Sequence, residues 1–232
     1  QEEDITASDK TIGVVLHEVM QVLYAPYANQ TVMEADIQSI LNALTNEKWE
    51  ELPIDAIRND CLARYVVKNY VRNILEYDKR QTPFTYLDSE QKVQGELHVP
   101  QIGIVPFYGF IDRIDKQGNT LRVIDYKTGK AQVEYRDMEH VFHRTDNQDK
   151  ALQTLLYCWI LSERYPNLSP HIYATRRLAD STTSTCVHTK ASEGALVFDD
   201  KLKQEFSDEL HKLIDEILNK DIPLYPTSES RL

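Results

Sequence analysis

The sequence predicts an α/β fold, because segments with helical periodicity lie on both sides of a region with the character of β-strands. Hydrophobic residues recur every three or four positions along about 9–24, 54–77 and 149–164. Between the second and third of these segments lie three stretches that alternate in polarity or are rich in β-branched and aromatic residues. With 232 residues, 41% hydrophobic and 27% charged, the chain suits one globular domain.

The first two predicted helices lie near the amino terminus, at about 9–24 and 35–44. In the first, Leu16 and Met20 follow helical spacing, and His17 lies on a neighbouring, partly apolar stripe. A lone His on such a face is usually a satisfied core residue, so spacing alone gives it no chemical role.

The long helix predicted at about 54–77 has two distinct faces. Its apolar positions repeat every three or four residues and are Leu62, Val66, Tyr70, Ile74 and Tyr77. On another face Arg64, Lys68 and Arg72 follow at intervals of four, which predicts a cationic edge. Charged faces of long helices are usually only solvated, but outside the residues of chemical interest described below this edge offers the best candidate contacts for a phosphate. Pro83 ends the region.

Three strands are predicted next, at about 92–99, 107–115 and 120–127. The last two are joined by residues 116–119, Lys-Gln-Gly-Asn, which are typical of a hairpin turn. The strands therefore form at least one antiparallel pair.

A helix at about 149–164 follows, with Pro166 beyond its end. Short strands at about 171–175 and 185–188 and an amphipathic helix at about 200–218 complete the predicted order.

The net charge of −11 at first argues against a nucleic acid as partner. The acidity is local, however, because residues 1–60 hold twelve acidic side chains and only three basic ones. The remainder is close to neutral, so composition leaves a polyanionic partner open. No run approaches the ~18 apolar residues of a spanning helix, and the start lacks an export signal, so we expect a cytoplasmic protein without a membrane partner.

The residues of greatest chemical interest are Asp112, Asp125 and Lys127, in the segments Gly-Phe-Ile-Asp-Arg-Ile-Asp (109–115) and Ile-Asp-Tyr-Lys-Thr-Gly (124–129). Residues two apart on a strand face the same side, and the paired hairpin strand brings Asp112 alongside Asp125 and Lys127. Two carboxylates suit Mg²⁺, and a nearby Lys can orient an attacking water. By itself the triplet is weak evidence for catalysis, because hairpin strands commonly carry cross-strand ion pairs on a solvated face.

Further motifs accompany this triplet in a fixed order. The set is Gly13-x3-His17 on the first helix, the segment 109–115, Asp125-Tyr-Lys127-Thr-Gly, and Gln153-x3-Tyr157 on the helix that follows. With these motifs, over about residues 10–165, the chain resembles the PD-(D/E)XK nuclease superfamily, and within it the RecB/AddB-type nuclease domain.

The resemblance implies a PD-(D/E)XK (restriction-endonuclease-like) core, with a mixed central sheet flanked by helices and a helical insertion after the first helix. The insertion would cover about 30–80, the catalytic core about 84–190 and the C-terminal helix about 200–220, in a single nuclease domain excerpted from a longer protein. The implied activity is Mg²⁺-dependent (or Mn²⁺-dependent) cleavage of DNA, expected to be single-stranded, by exonuclease or endonuclease action in repair and recombination. The implied partner is a helicase or helicase-like subunit or domain.

By the same resemblance, His17, Asp112 and Asp125 are the metal ligands, together with the backbone carbonyl of Tyr126. Lys127 is then the catalytic lysine.

The resemblance also assigns supporting residues. An acidic residue often precedes the second strand in this subfamily, and Glu90 matches it, with Glu96 as the alternative. Gln153 and Tyr157 share a helix face, where they either contact the DNA strand, as the resemblance implies, or form only a surface hydrogen bond.

Two features of many relatives are missing from the sequence. An iron–sulfur cluster needs one Cys before the first helix and three near the carboxyl end, whereas Cys61, Cys158 and Cys186 lie elsewhere, so we expect no iron–sulfur cluster within this chain. Residues 222–232 nevertheless resemble the lead-in to such a cluster. No Gly-x4-Gly-Lys-Ser/Thr loop occurs, which leaves any ATP-driven unwinding to a partner.

Two alternatives to a nuclease remain open at this stage. A non-catalytic DNA-binding or scaffolding domain would keep the fold while a partner cuts, although it would have no need of Asp112, Asp125 and Lys127 together. An isolated excerpt that folds but stays inert is the other.

Overall fold

The computed structural model describes residues 7–100, 102–142, 148–180, 182–192 and 196–218. Within these ranges the strands are β1 (Gln30–Val32), β2 (Phe84–Val99), β3 (Gly103–Gln117), β4 (Thr120–Lys127), β5 (Glu134–Tyr135), β6 (Leu168–Ala174) and β7 (His188–Thr189). The helices are α1 (Asp9–Tyr24), α2 (Glu34–Ala43), α3 (Asn46–Glu50), α4 (Cys61–Gln81), α5 (Met138–Phe142), α6 (Asp149–Leu161) and α7 (Asp200–Leu218).

The central sheet is mixed, as predicted, and has five strands in the order β1-β2-β3-β4-β6. The first four strands pair antiparallel, and β4 pairs with β6 in parallel. A parallel pair needs a crossover connection, and α6 lies within it. β5 and β7 form a second, two-stranded sheet. The α/β fold is therefore confirmed.

Two hydrophobic cores lie on opposite faces of the sheet. One contains the buried residues of α1, α2 and α4, and the other those of α5, α6 and α7. On β4, Val123 belongs to the second core and Ile124 to the first, as the alternation of side chains along a strand requires. The sheet is thus covered by helices on both sides.

The predicted boundaries are confirmed most closely for α1, β4 and α7. The two strands predicted at 92–99 and 107–115 prove to be parts of the longer β2 and β3. The prediction of a strand at 185–188 was wrong in extent, because only His188 and Thr189 form β7, while Cys186 makes a single bridge to His171. β1 was missed because three residues are too few to show alternation.

The long helix was misplaced by the sequence pattern. It begins at Cys61, because the Asp60 side chain accepts a hydrogen bond from the backbone N–H of Ala63 and caps the helix. Leu62, expected to face the core, is 65% exposed, and the buried face passes through Ala63 and Val67 instead. Packing against α1 and α2 shifts the buried face in the first half of the helix, whereas Ile74 and Tyr77 in the second half are buried as predicted.

Some expectations lie outside the described residues. These are the last positions of the C-terminal helix, 219–220, and the segment 222–232. Within the ranges that are described, none of the helices is both long and apolar enough to cross a membrane.

A network of buried charges lies between α4 and the centre of the sheet. Arg113 is fully buried and donates hydrogen bonds to Asp78 at 2.6 Å and to Asp115 at 2.5 Å. Arg122 also donates to Asp115, at 2.6 Å. Burial by itself would raise the pKa of Asp115, but Arg113 and Arg122 hold that pKa below its ordinary value.

Aromatic side chains complete the network. The hydroxyls of Tyr24 and Tyr173 donate to the two oxygens of Asp78, at 2.6 and 3.1 Å. The rings of Tyr24 and Phe84 lie 4.7 Å from the Arg113 guanidinium, measured to their centroids. These contacts supply the partners that a buried guanidinium and a buried carboxylate require.

Breaking this network is expected to destabilise the fold strongly. Arg113→Met removes a partner from two buried carboxylates, and an ion pair broken in this way costs about 3–5 kcal/mol. Arg58→Met is the matched control, because Arg58 pairs with Asp55 and Glu50 at the surface and such pairs contribute about 1 kcal/mol or less. Urea denaturation of both variants measures the difference, and equal losses would contradict the assigned importance of Arg113.

Candidate active site

The candidate site lies where β3 and β4 separate. Their pairing runs from Gln117 and Thr120 to Arg113 and Ile124, and beyond that point β3 continues with β2 alone. Asp112 is the next residue on β3, and its Oδ2 accepts a hydrogen bond of 2.7 Å from the backbone N–H of Tyr126. The end of the β3–β4 ladder therefore holds Asp112 against the end of β4.

An imidazole and a second carboxylate reach the same point. Nδ1 of His17 on α1 lies 3.5 Å from Oδ1 of Asp112 and 3.6 Å from Oε1 of Glu90. Nε2 of His17 lies 3.2 Å from the backbone carbonyl oxygen of Tyr126, to which it donates when protonated. One ligand atom from each of His17, Glu90 and Asp112 lies within 4.8 Å of the others. This trio has the donor types and spacing of a metal site.

Glu90 rather than Glu96 lies beside His17 and Asp112. Glu90 falls at the level of Asp112, between the paired residues Gln91–Ile111 and Ser89–Arg113, whereas Glu96 is exposed and lies opposite Pro106. The backbone of Glu90 has φ 51°, a left-handed conformation that residues other than glycine seldom adopt. Such strained positions concentrate at functional sites, because the surrounding structure must enforce them.

Asp125 and Lys127 lie on the same side of the end of β4. Oδ1 of Asp125 accepts a hydrogen bond of 2.8 Å from Nζ of Lys127. Oδ2 of Asp125 is buried and has no hydrogen-bond partner among the residues that the structure describes. A buried carboxylate oxygen left in this way is costly, and a cation at the site would satisfy it.

The charges at the site explain its unusual acid–base properties. Burial and the neighbouring Asp125 raise the pKa of Asp112 to about 7, and burial also raises the pKa of Asp125. Burial alone would lower the pKa of Lys127, but the carboxylate of Asp125 outweighs it and raises that pKa. Likewise, the pKa of His17 is raised despite burial, because Glu90 and Asp112 are close. The positive charge of Lys127 and His17 therefore does not fully compensate the carboxylates of the site.

The donor set fits a hard divalent cation. Carboxylate and carbonyl oxygens suit Mg²⁺ and Mn²⁺, and Mn²⁺ also accepts imidazole. The orphaned oxygen of Asp125 and the raised pKa of Asp112 both indicate that a positive charge would stabilise the folded site.

A sequence model of the PD-(D/E)XK nuclease superfamily matches residues 1–231. The chain belongs to the PD-(D/E)XK nuclease superfamily. No curated protein matches the chain. The mixed sheet flanked by helices is the α/β arrangement expected of a PD-(D/E)XK core.

In this PD-(D/E)XK chain, α6 covers one side of the site. Nε2 of Gln153 donates to the hydroxyl of Tyr157 at 2.8 Å. A Cβ atom at Gly109 would lie 2.5 Å from Cε1 of Tyr157, so only glycine lets this ring pack on β3. Burial raises the pKa of Tyr157, and Asp125 and Asp112 are near enough to raise it further. The two predicted residues of α6 therefore lie beside the carboxylates.

The predicted cationic edge of α4 contacts α3. Arg64 forms an ion pair with Glu50, and Lys68 donates to Asn46 at 3.0 Å. Arg72 is exposed. The acidic segment before α4 thus neutralises part of the positive charge of this edge. The role of its cations in binding phosphate stays a prediction.

One basic residue near the site was missed by the sequence analysis. Lys150 on α6 lies close enough to Asp125 to lower its pKa against the effect of burial. Lys150 lies three residues before Gln153 and therefore on the same helix face. This spacing was the feature of the sequence that could have identified it.

Metal binding is expected to weaken in acid. Asp112 must be ionised to bind a cation, and its pKa is about 7, so below that pH the metal has to displace a proton. The affinity for Mn²⁺ should stay level above pH about 7 and fall by about tenfold or more per pH unit below it, the raised pKa of His17 acting in the same direction. Calorimetry measures this. A flat profile, or Asp125→Ala binding Mn²⁺ as tightly as the parent, would contradict the ligand assignment.

Proposed function

We propose that the chain is a Mg²⁺-dependent deoxyribonuclease that hydrolyses phosphodiester bonds. The observation that carries the proposal is the convergence of Asp112, Asp125 and Lys127 at the end of the β3–β4 ladder, with His17 and Glu90 beside them. Membership of the PD-(D/E)XK nuclease superfamily supports the same activity.

The ligand roles are part of the proposal. Asp112, Asp125 and His17 would hold the ion, helped by the backbone carbonyl of Tyr126, and Glu90 supports them from β2. A bound Mg²⁺ supplies positive charge that lowers the pKa of water and polarises the phosphoryl group.

Lys127 acts on the nucleophile and on the phosphate. Its pKa is raised, so at neutral pH it is an ammonium that donates hydrogen bonds and cannot act as a base. Held against Asp125 at 2.8 Å, it orients the attacking water and offsets negative charge that develops on the phosphate. The water oxygen forms a new bond to phosphorus and loses a proton to bulk water, the ester P–O bond breaks, and the leaving oxygen takes up a proton from bulk water.

The finer assignment is to a RecB/AddB-like helicase–nuclease system of DNA repair and recombination. The order of the His17, Asp112, Asp125–Lys127 and Gln153–Tyr157 motifs supports it. The substrate is then single-stranded DNA delivered by a helicase or helicase-like subunit. Gln153 and Tyr157 contact the strand near the scissile bond.

The replacement Lys127→Ala separates chemistry from binding. It removes the cation that positions water and leaves the carboxylates, so cleavage of single-stranded DNA should fall by at least ~10² while DNA affinity changes little. Lys130→Ala is the matched control, because Lys130 is an exposed lysine three residues farther along the chain. This variant should cut nearly as fast as the parent. Quenched-flow cleavage assays measure both. Normal cutting by the Lys127→Ala variant would favour the scaffolding alternative.

The cationic edge of α4 is expected to contribute electrostatically. Each phosphate neutralised on a single strand contributes roughly 0.7 to the slope of log affinity against log salt, so replacing Lys68 and Arg72 by Ala should flatten that slope by about 1.4. Arg64 is left in place because it compensates Glu50. Fluorescence anisotropy with Ca²⁺ in place of Mg²⁺ measures the slope. Replacing Lys201 and Lys212 on α7 by Ala is the control. Equal slopes in the two double variants would place the DNA path elsewhere.

A further inference from the structure

An exposed apolar row runs along β3 on the face turned away from α6. Ile104, Tyr108 and Phe110 alternate along the strand and are 64%, 73% and 51% exposed. The intervening Gly109 and Ile111 face the other way, toward α6. The outer face of a half-buried strand is normally polar, and contiguous exposed apolar groups mark interaction sites.

The row leads directly to the candidate active site. Tyr108 lies opposite Gln94 on β2, and Phe110 lies opposite Lys92. The register continues with Gln91 opposite Ile111, and Glu90 and Asp112, which are at the site, come directly after that pair. Successive pairs are two residues apart, which is about 7 Å along a strand. The aromatic rings therefore form the two positions nearest to the carboxylates.

The chemistry of these two positions fits unpaired bases. Nζ of Lys92 lies 6.0 Å from the centroid of the Tyr108 ring, so an ammonium accompanies the aromatic surface. Every base presents a π-face that stacks on an aromatic ring, and a lysine beside it neutralises the adjacent phosphate. In a duplex, most of these faces are already stacked on neighbouring base pairs. The aliphatic Ile104, which cannot stack in this way, lies farther from the site.

We propose that Tyr108 and Phe110, with Lys92, form a stacking platform for the bases of a single strand whose backbone enters the site at Asp112. The proposal deepens the proposed nuclease function and rests on it for the direction of the strand. It adds a binding surface on the β2–β3 hairpin to the contacts on α6 and α4.

Substitutions at Tyr108 test the platform in the full chain. With Ca²⁺ replacing Mg²⁺, Tyr108→Ala should weaken the binding of a labelled oligothymidylate by about 5- to 150-fold, the range found for loss of one base–aromatic stack. Tyr108→Phe keeps the ring and should bind like the parent, whereas Tyr108→Leu keeps apolar area without a π-face and should behave like the Ala variant. Because the side chain is exposed, thermal melting of all three should match the parent.

Two control variants define what counts as specific. Ile104→Ala removes an exposed apolar side chain from the same face, and Tyr65→Ala removes a tyrosine that is 67% exposed on α4. Neither should change the affinity for the strand. A loss at Ile104 as large as that at Tyr108 would overturn base stacking in favour of a protein-docking surface.

An oligonucleotide of abasic sites isolates the contribution of the bases. It keeps the phosphates, so Tyr108→Ala should scarcely affect its binding, and the coupling between the protein change and the base change gives the stacking contribution. Equal losses on the normal and the abasic strand would overturn the proposal. Normal strand binding by the Tyr108→Ala variant would also overturn the proposal. This holds even if sedimentation shows that the change dissociates a dimer, because the surface would then bind a second copy of the chain.

The platform and the nuclease activity can fail separately. A chain that binds the strand through Tyr108 yet never cuts defeats the proposed function and leaves the platform standing. A small phosphodiester such as bis-p-nitrophenyl phosphate has no strand to stack, so its Mn²⁺-dependent hydrolysis should be the same in Tyr108→Ala and in the parent. Loss of that hydrolysis in the variant would show that Tyr108 acts on the site itself and would overturn the platform.

Discussion

The burial of Arg113 is the constraint around which the centre of the molecule is organised. A guanidinium without access to water has to be matched by carboxylates and by the faces or hydroxyls of aromatic rings. Its two carboxylates come from α4 and from β3 itself, through Asp78 and Asp115. The hydroxyls that complete Asp78 come from α1 and β6. One buried charge therefore ties four elements together.

The same network positions the candidate site, through Tyr126. The Tyr126 hydroxyl lies 3.3 Å from Nη1 of Arg113, which donates to it, whereas the Tyr126 backbone N–H donates to Asp112 and the backbone carbonyl lies against His17. The side chain of this residue thus belongs to the core and its backbone to the site. Because Asp112 immediately precedes Arg113, a shift of β3 that disturbs the network also moves the carboxylate.

The carboxylates of the site have fewer compensating partners than the carboxylates of the core. In the core each carboxylate has cationic or hydroxyl partners, and Asp115 is ionised more readily than usual. At the site, Asp112 and Asp125 are close together, and their pKa values are raised. A cluster of that kind stabilises the fold less and binds a cation more tightly. Negative charge is also compensated at the surface, because Glu50 on α3 forms an ion pair with Arg64. For the proposed function, contacts that depend on aromatic surface rather than on net charge suit an acidic chain whose substrate is a polyanion.

Local patterns in the sequence determined the fold class, the bounds of α1, β4 and α7, and the grouping of Asp112 with Asp125 and Lys127. These features depend on residues a few positions apart or on one hairpin, so periodicity and turn chemistry are sufficient to predict them. Tertiary structure alone decided the buried face in the first half of α4, the burial of Arg113 and the position of Glu90, rather than Glu96, beside His17. Each of these depends on contacts between distant segments, such as Asp78 with Arg113 and His17 with Glu90. The exposure of Tyr108 and Phe110 was equally hidden, because an alternating strand does not indicate which of its faces a helix will cover.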